Sequence, residues 1–221
     1  CCRGDKKMIA ISTAYKEALI AVEINNKKAF TQLPANCKHS ENILKSLNSL
    51  LEEQNLSIKD NDKFAVVVGP GSFTGIRIGI ALVKGFVSGL DKISVLPLTT
   101  FDLMAYSYVK YENPENDFIC VINALSGLYY ICKYSKDGDK LGIEQLIGQK
   151  EFDEIGYTKV GLSEESIVSI NVKPTSEDLL ELAKVYDKKG LFTDDVGHLQ
   201  PLYLRKSQAE DSLDKKIKKV E

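Results

Sequence analysis

The chain has no tryptophan, two histidines and three arginines among its 221 residues, and each scarcity removes a class of function. His39 and His198 have no cysteine or acid at zinc-finger or His-Glu-x-x-His spacing, so a histidine-built metal centre is not expected. With Arg3, Arg77 and Arg205 as the only guanidinium groups, planar bidentate anion recognition has few donors. No apolar run approaches the ~18 residues of a membrane span. The opening Cys-Cys-Arg-Gly-Asp-Lys-Lys lacks the apolar region of a signal peptide, so a cytoplasmic protein without membrane contact is expected. Residues 1–7 read as an extension or an expression remnant ahead of Met8. A formal net charge of -2 gives no global attraction to nucleic acid. The five cysteines are odd in number and lack metal-type spacing. They suit a reducing compartment, with Cys120 and Cys132 buried in strand-like runs.

What is present is enough apolar residue, 43%, to build a core in one large domain or two small ones. Met8 to Thr13, Glu17 to Ile24 and Lys28 to Leu33 read as three strands joined by tight turns. Ser40 is the expected N-cap of a helix running to Gln54 through Ile43, Leu44, Leu47, Leu50 and Leu51. Phe64 to Val68 reads as a buried parallel strand, Phe73 to Leu90 as a helix, Ile93 to Leu96 as a strand ended by Pro97, and Thr100 to Tyr108 as a helix. After the turn-rich 111–117 the pattern restarts. Phe118 to Asn123, Gly127 to Tyr134 and Lys140 to Ile147 read as strands, 150–162 is ambiguous, Ile167 to Val172 is a strand, and Thr175 to Lys189 a helix stopped by Gly190. The repeated order predicts an α/β protein of two ribonuclease-H-like, actin-like lobes. Each lobe is expected to hold a mixed five-stranded sheet with flanking helices, over 8–109 and 117–200. The lysine-rich tail, about 206–221, carries Leu213, Ile217 and Val220 at helical intervals, and is expected to pack back on the first lobe.

The segment from Phe64 to Gly79 carries most of the chemistry. Its order of strand, Gly69-Pro70-Gly71-Ser72 loop and helix resembles a phosphate cradle, and the amides of the following helix could attract an anion. Yet no lysine follows Gly75 as a Walker loop requires, and the glycines at 69, 71, 75 and 79 do not match the dinucleotide fingerprint. Gly-Pro-Gly-Ser is not a nucleophile elbow either. His39-Ser40-Glu41 reads as helix capping rather than as part of a catalytic triad. Gly75 and Gly79 form one bare stripe and Gly85 and Gly89 another. Each glycine costs a helix interior about 0.5–1 kcal/mol against alanine, so both stripes point to close packing, within the chain or across a subunit boundary. An actin-like phosphotransferase needs a carboxylate after the first strand to hold hydrated magnesium, but the matching positions are Ser12-Thr13 and, in the second lobe, Asn123. Tyr129, Tyr130 and Tyr134 do not alternate with basic residues as an RNA platform would.

Met8-Ile-Ala-Ile-Ser-Thr13, His39-Ser40-Glu41, Gly69-Pro-Gly-Ser-Phe-Thr-Gly-Ile-Arg-Ile-Gly79 and Pro201-Leu-Tyr-Leu-Arg-Lys-Ser-Gln-Ala-Glu210 together resemble the bacterial TsaB family, also called YeaZ. The resemblance covers about residues 8–210. It implies a non-catalytic scaffold for the TsaD-like subunit that transfers threonylcarbamoyl to adenosine 37 of tRNA, with a TsaE-like ATPase joining the assembly. It also implies a homodimer as a second use of the surface, tRNA contact only through the complex, and ATP and magnesium or another metal on partner subunits rather than on this chain. Carried over, the docking surface falls on the two first-lobe helices, with His39, Ser40, Leu47, Phe73, Thr74, Gly75, Arg77 and Gly79 as its residues. Ser12, Gly71 and Ser72 remain as weak nucleotide contacts. The chain departs from the family at Ser12, where Asp is usual, and at Asn123-Ala124-Leu125, where Asp-Ala-Arg is common. An actin-like ATPase or kinase, or a peptidase-like protein, is the alternative.

Overall fold

The computed structural model describes residues 7–90, 92–162 and 167–204. β1 (Lys7–Ser12), β2 (Ala18–Ile24) and β3 (Lys27–Leu33) form an antiparallel meander. Its second turn is closed by Asn25 and Asn26, whose φ angles of 52° and 63° suit the right-handed strand twist. The chain then runs through α1 (His39–Glu53), β4 (Lys63–Gly69), α2 (Phe73–Ser88), β5 (Ser94–Thr99) and α3 (Thr100–Glu112). The strands order as β3-β2-β1-β4-β5, with β4 and β5 parallel to β1.

The second half repeats this plan with β6 (Phe118–Asn123), β7 (Leu128–Tyr134), β8 (Gln145–Gly148), α4 (Gln149–Glu154), β9 (Thr158–Leu162), β10 (Ile170–Val172) and α5 (Ser176–Lys188). Its order, β10-β9-β6-β7-β8, is the first sheet's order again, with β9 and β10 parallel to β6. The expected duplication of mixed five-stranded sheets is therefore present strand for strand.

Several expected boundaries differ. Pro97 lies inside β5, because β5 is an edge strand where a missing N–H is tolerated. α3 runs on to Glu112, and Asn113 ends it in the left-handed region at φ 47°. Lys140 to Glu144 is not strand; its Leu141 and Ile143 are exposed at 50% and 76%, so their apolar pattern had no core behind it. The ambiguous 150–162 resolves into α4 and β9, and β10 begins only at Ile170. Ser40 does not cap α1; Lys38 holds the N-cap position without a side-chain hydrogen bond. The tail expected as a helix over about 206–221 lies outside the described residues.

The helices do not follow the division of the sheets. On the first sheet Phe64 stacks on Phe86 of α2 with centroids 5.5 Å apart, while on the opposite face Lys63 pairs with Asp187 of α5 at 2.6 Å. α5 buries Leu179, Leu180, Leu182 and Ala183 in the first core, although the chain delivers it from the second half. α3 instead buries Phe101, Met104, Ala105 and Tyr108 against Phe118 and Tyr134 of the second sheet.

Where α3 and α5 meet, the fully buried Asp178 carboxylate is 2.8 Å from Lys110 Nζ and accepts from Tyr111, Ser107 and Thr175. Burial alone would raise its pKa, but the hydrogen bonds from Lys110, Thr175 and Tyr111 hold it below the usual carboxylate range. Burial pushes the Cys132 thiol up to about 11 and raises Cys120 well above its ordinary value, so both behave as small hydrophobes.

Candidate functional site

The loop after β4 is shaped by close approach. At Gly69 φ is +119°, a region side chains avoid, and a Cβ on Gly71 would sit 2.1 Å from the Ala14 carbonyl oxygen. That carbonyl accepts from Ser72 N at 2.7 Å, and Thr100 Oγ1 donates to the Pro70 carbonyl at 2.6 Å. Ser72 caps α2 by accepting from Gly75 N. The loop is thus sewn to the end of β1 and the start of α3.

The first glycine stripe continues that seam. A Cβ on Gly75 would lie 2.0 Å from the Thr13 carbonyl oxygen, and one on Gly79 2.6 Å from Thr13 Oγ1. Thr13 Oγ1 itself donates to the Gly75 carbonyl at 2.7 Å. Gly75 and Gly79, expected at a subunit boundary, are therefore turned into this chain's own core, and Leu47, fully buried on α1, lies there with them. The second stripe behaves differently: a Cβ on Gly85 would meet nothing within 4 Å.

Between the lobes lies a cleft of about 550 Å³, lined on one side by Lys16, Lys38, His39, Ser40, Gly71 and Ser72 and on the other by Asn123 and Tyr130. No carboxylate lines it among the described residues. His39 is half-buried, with Nε2 buried and unpartnered. Glu41 pairs with Lys38 at 3.0 Å instead of His39, so the three adjacent residues make no triad. Asn123 spends its side-chain oxygen on Leu125 N at 2.8 Å, a local turn contact. Ser12 is buried and opens into a separate cavity of about 220 Å³ with Glu17, Thr100 and Lys173. The three weak nucleotide contacts are thus split, with Gly71 and Ser72 in one cavity and Ser12 in the other. Among the described residues no three His, Cys, Asp or Glu side chains converge as metal ligands would.

The outer side of α2 carries an open apolar stripe. Thr74, Ile78, Ala81, Leu82 and Gly85 recur at helical intervals and are half-exposed or exposed, while Gly75, Ile76, Gly79, Ile80 and Val83 face inward. Leu44 on neighbouring α1 is 43% exposed. At the start of this stripe the Arg77 guanidinium lies 3.8 Å over the Phe73 ring and donates from Nε to the Tyr203 hydroxyl at 2.6 Å; Tyr203 stacks on Phe73 with centroids 4.9 Å apart. The expectation named Phe73 and Arg77 but missed Tyr203. Its signal was the aromatic in an apolar stretch just past Pro201, which Leu202 N anchors by donating to the Val68 carbonyl.

The two sheets of identical order, the exchanged helices and the glycine loop at the cleft define the actin-like, two-lobed class. A family model described as TsaD, tRNA N6-adenosine threonylcarbamoyltransferase, matches residues 31–192. The chain is 26% identical over 194 residues to the Escherichia coli "tRNA threonylcarbamoyladenosine biosynthesis protein TsaB", covering 78% of this chain and 83% of that protein. It is 25% identical over 123 residues to the Haemophilus influenzae protein of the same name, covering 56% of this chain and 52% of that protein, so the match spans about half of that relative. The solved structure "YeaZ from Pseudomonas aeruginosa" superposes with a TM-score of 0.75 at 20% identity, covering 90% of this chain and all of that one, a likeness of fold. The chain belongs to this family, in its TsaB (YeaZ) branch.

Proposed function

We propose that this chain is a scaffold subunit in the making of threonylcarbamoyladenosine on tRNA, docking a TsaD-like catalytic subunit through the outer faces of α1 and α2. The reading is supported chiefly by a cleft that no described carboxylate lines, beside an open helix face. The positions where an actin-like enzyme would hold magnesium are Ser12 and Asn123, and no described residue lining the cleft is acidic. Hydroxyls and an amide can bond a phosphate, but they do not offset the charge of a metal ion. The binding energy therefore sits on Phe73, Thr74, Ile78, Ala81 and Leu82, with Ser40 and Leu44 beside them. Arg77 and the aromatic pair it joins are the residue types that dominate interface energetics. ATP and metal belong to the partner subunits, a TsaE-like ATPase among them, and a homodimer would use the same face.

Threonylcarbamoyl transfer to tRNA, measured with the catalytic subunit in the presence and absence of this chain, tests the reading. Addition is expected to raise the rate at least about tenfold, a change of ~1.4 kcal/mol, while the chain alone turns over no magnesium ATP. Steady hydrolysis by the chain alone that is lost on changing Gly71 or Ser72 would instead establish an enzyme of the kinase class.

A further inference from the structure

α2 carries no acidic residue, and the apolar stripe on its outer side is edged by charge of one sign. Arg77 and Lys84 fall on the same flank of that stripe, two turns and about 10 Å apart along the helix axis. Of the chain's three arginines, Arg77 alone lies among the described residues. Neither Arg77 nor Lys84 pairs with a described carboxylate. We infer that this basic edge receives carboxylates of the docked TsaD-like subunit, with Arg77 gripping one of them end-on through its two Nη groups. The inference rests on the docking surface proposed above and names the partner chemistry that surface selects.

The guanidinium is held in place within the chain itself. Its Cζ lies 3.8 Å over the Phe73 ring and 5.6 Å from the Tyr203 ring, Nε donates to the Tyr203 hydroxyl at 2.6 Å, and Tyr203 stacks on Phe73. With Nε spent, the side-on edge of the fork is closed. The Nη pair has no acceptor among the described residues, so the end-on edge is the one left for an acid. The Tyr203 oxygen accepts from Arg77, which leaves its own proton to donate to the same carboxylate. Because the aromatic pair already orders the arginine, binding an anion costs less side-chain freedom than at a loose surface residue. A protein acid fits this edge better than an RNA phosphate. The adjoining apolar stripe needs a cover that a nucleic-acid backbone does not supply, and neighbouring α1 exposes Glu41, Glu52 and Glu53, which repel a polyanion.

The test is calorimetric affinity of the full chain for the TsaD-like subunit, with each variant checked for folding by its melting temperature. Arg77→Gln is expected to weaken binding about thirtyfold and to flatten its dependence on salt. Arg77→Lys keeps the charge but not the fork, and is expected to recover no more than about threefold of that loss. Lys84→Gln, at the rim, is expected to cost about threefold. Tyr203→Phe keeps the stack and frees the guanidinium. As a change at a positioning residue, it is expected to weaken binding about fivefold in the wild-type background and not at all in Arg77→Gln. Arg77→Lys binding as tightly as wild type overturns the fork, since a point charge then suffices. Wild-type affinity in Arg77→Gln overturns the inference: if Ala81→Arg has lost binding, the docking surface stands without it, and if Ala81→Arg also binds normally, the docking surface falls too. Weakened tRNA binding by Arg77→Gln with partner affinity intact assigns the guanidinium to a phosphate and likewise overturns the inference.

Discussion

The two lobes share one strand order but not one set of helices. α3 and α5 correspond, each opened by the same capping box, Thr99 with Asp102 and Thr175 with Asp178. α1, of 15 residues, corresponds to α4, of 6. Among the described residues α2 has no counterpart: the first lobe gives residues 70–93 to the connection between β4 and β5, whereas the second gives 163–169 to that between β9 and β10. Among the described residues the first lobe thus holds the glycine loop and a helix with an exposed apolar stripe, and the second holds a sheet with the short α4 on one face and the exchanged α3 on the other. The comparison teaches that the exposed apolar helix face and the phosphate-type loop fall in the same lobe, beside a cleft that no described carboxylate lines.

Substitutions test this asymmetry in order of expected size. Gly75→Val would drive a side chain into the Thr13 carbonyl, where backbone rather than a flexible side chain must yield, and should cost more than ~4 kcal/mol, read as lost soluble protein or a collapsed urea midpoint. A Gly75→Val protein of normal stability would mean that α2 is not built into the first lobe. Asp178→Asn should cost about 3 kcal/mol, since it strips the buried charge facing Lys110 at the crossing of α3 and α5.

That contribution has a defined pH window. The Asp178 pKa is lowered in the fold, so its stabilisation is fully present above the unfolded value of about 3.9 and is lost as pH falls through the folded value. The gap in unfolding free energy between the two proteins should therefore be constant near neutrality and close in acid. Gly85→Ala should give the smallest effect, a gain of ~0.5–1 kcal/mol by thermal unfolding, because a Cβ there meets nothing. A loss would mean that the outer stripe already serves the interior.

Much of the fold was legible because its signals were local. The β2–β3 turn announces itself in Asn25-Asn26, β4 in an unbroken apolar run, and β6 matched its expected limits of Phe118 and Asn123. What stayed hidden depended on partners distant in sequence. Nothing within Leu179 to Ala183 says which sheet it will cover, and Leu141 and Ile143 look like strand residues until their exposure is known. The site was legible in part for the same reason. The glycine stripe at 75 and 79 predicted close packing, but only the position of Thr13 distinguishes an internal seam from a subunit boundary. Leu47 showed the same ambiguity, since an apolar helical period marks a covered face without naming the cover.

The central claim is that this chain works through the outer face of α2, and binding of the TsaD-like subunit to Ala81→Arg, measured by calorimetry, tests it most directly. Ala81 is exposed in the middle of the apolar stripe, so the folded state should tolerate the change, with an unaltered melting temperature. The account predicts affinity weakened about a hundredfold, ~2.7 kcal/mol. Wild-type affinity in a folded Ala81→Arg protein would contradict it.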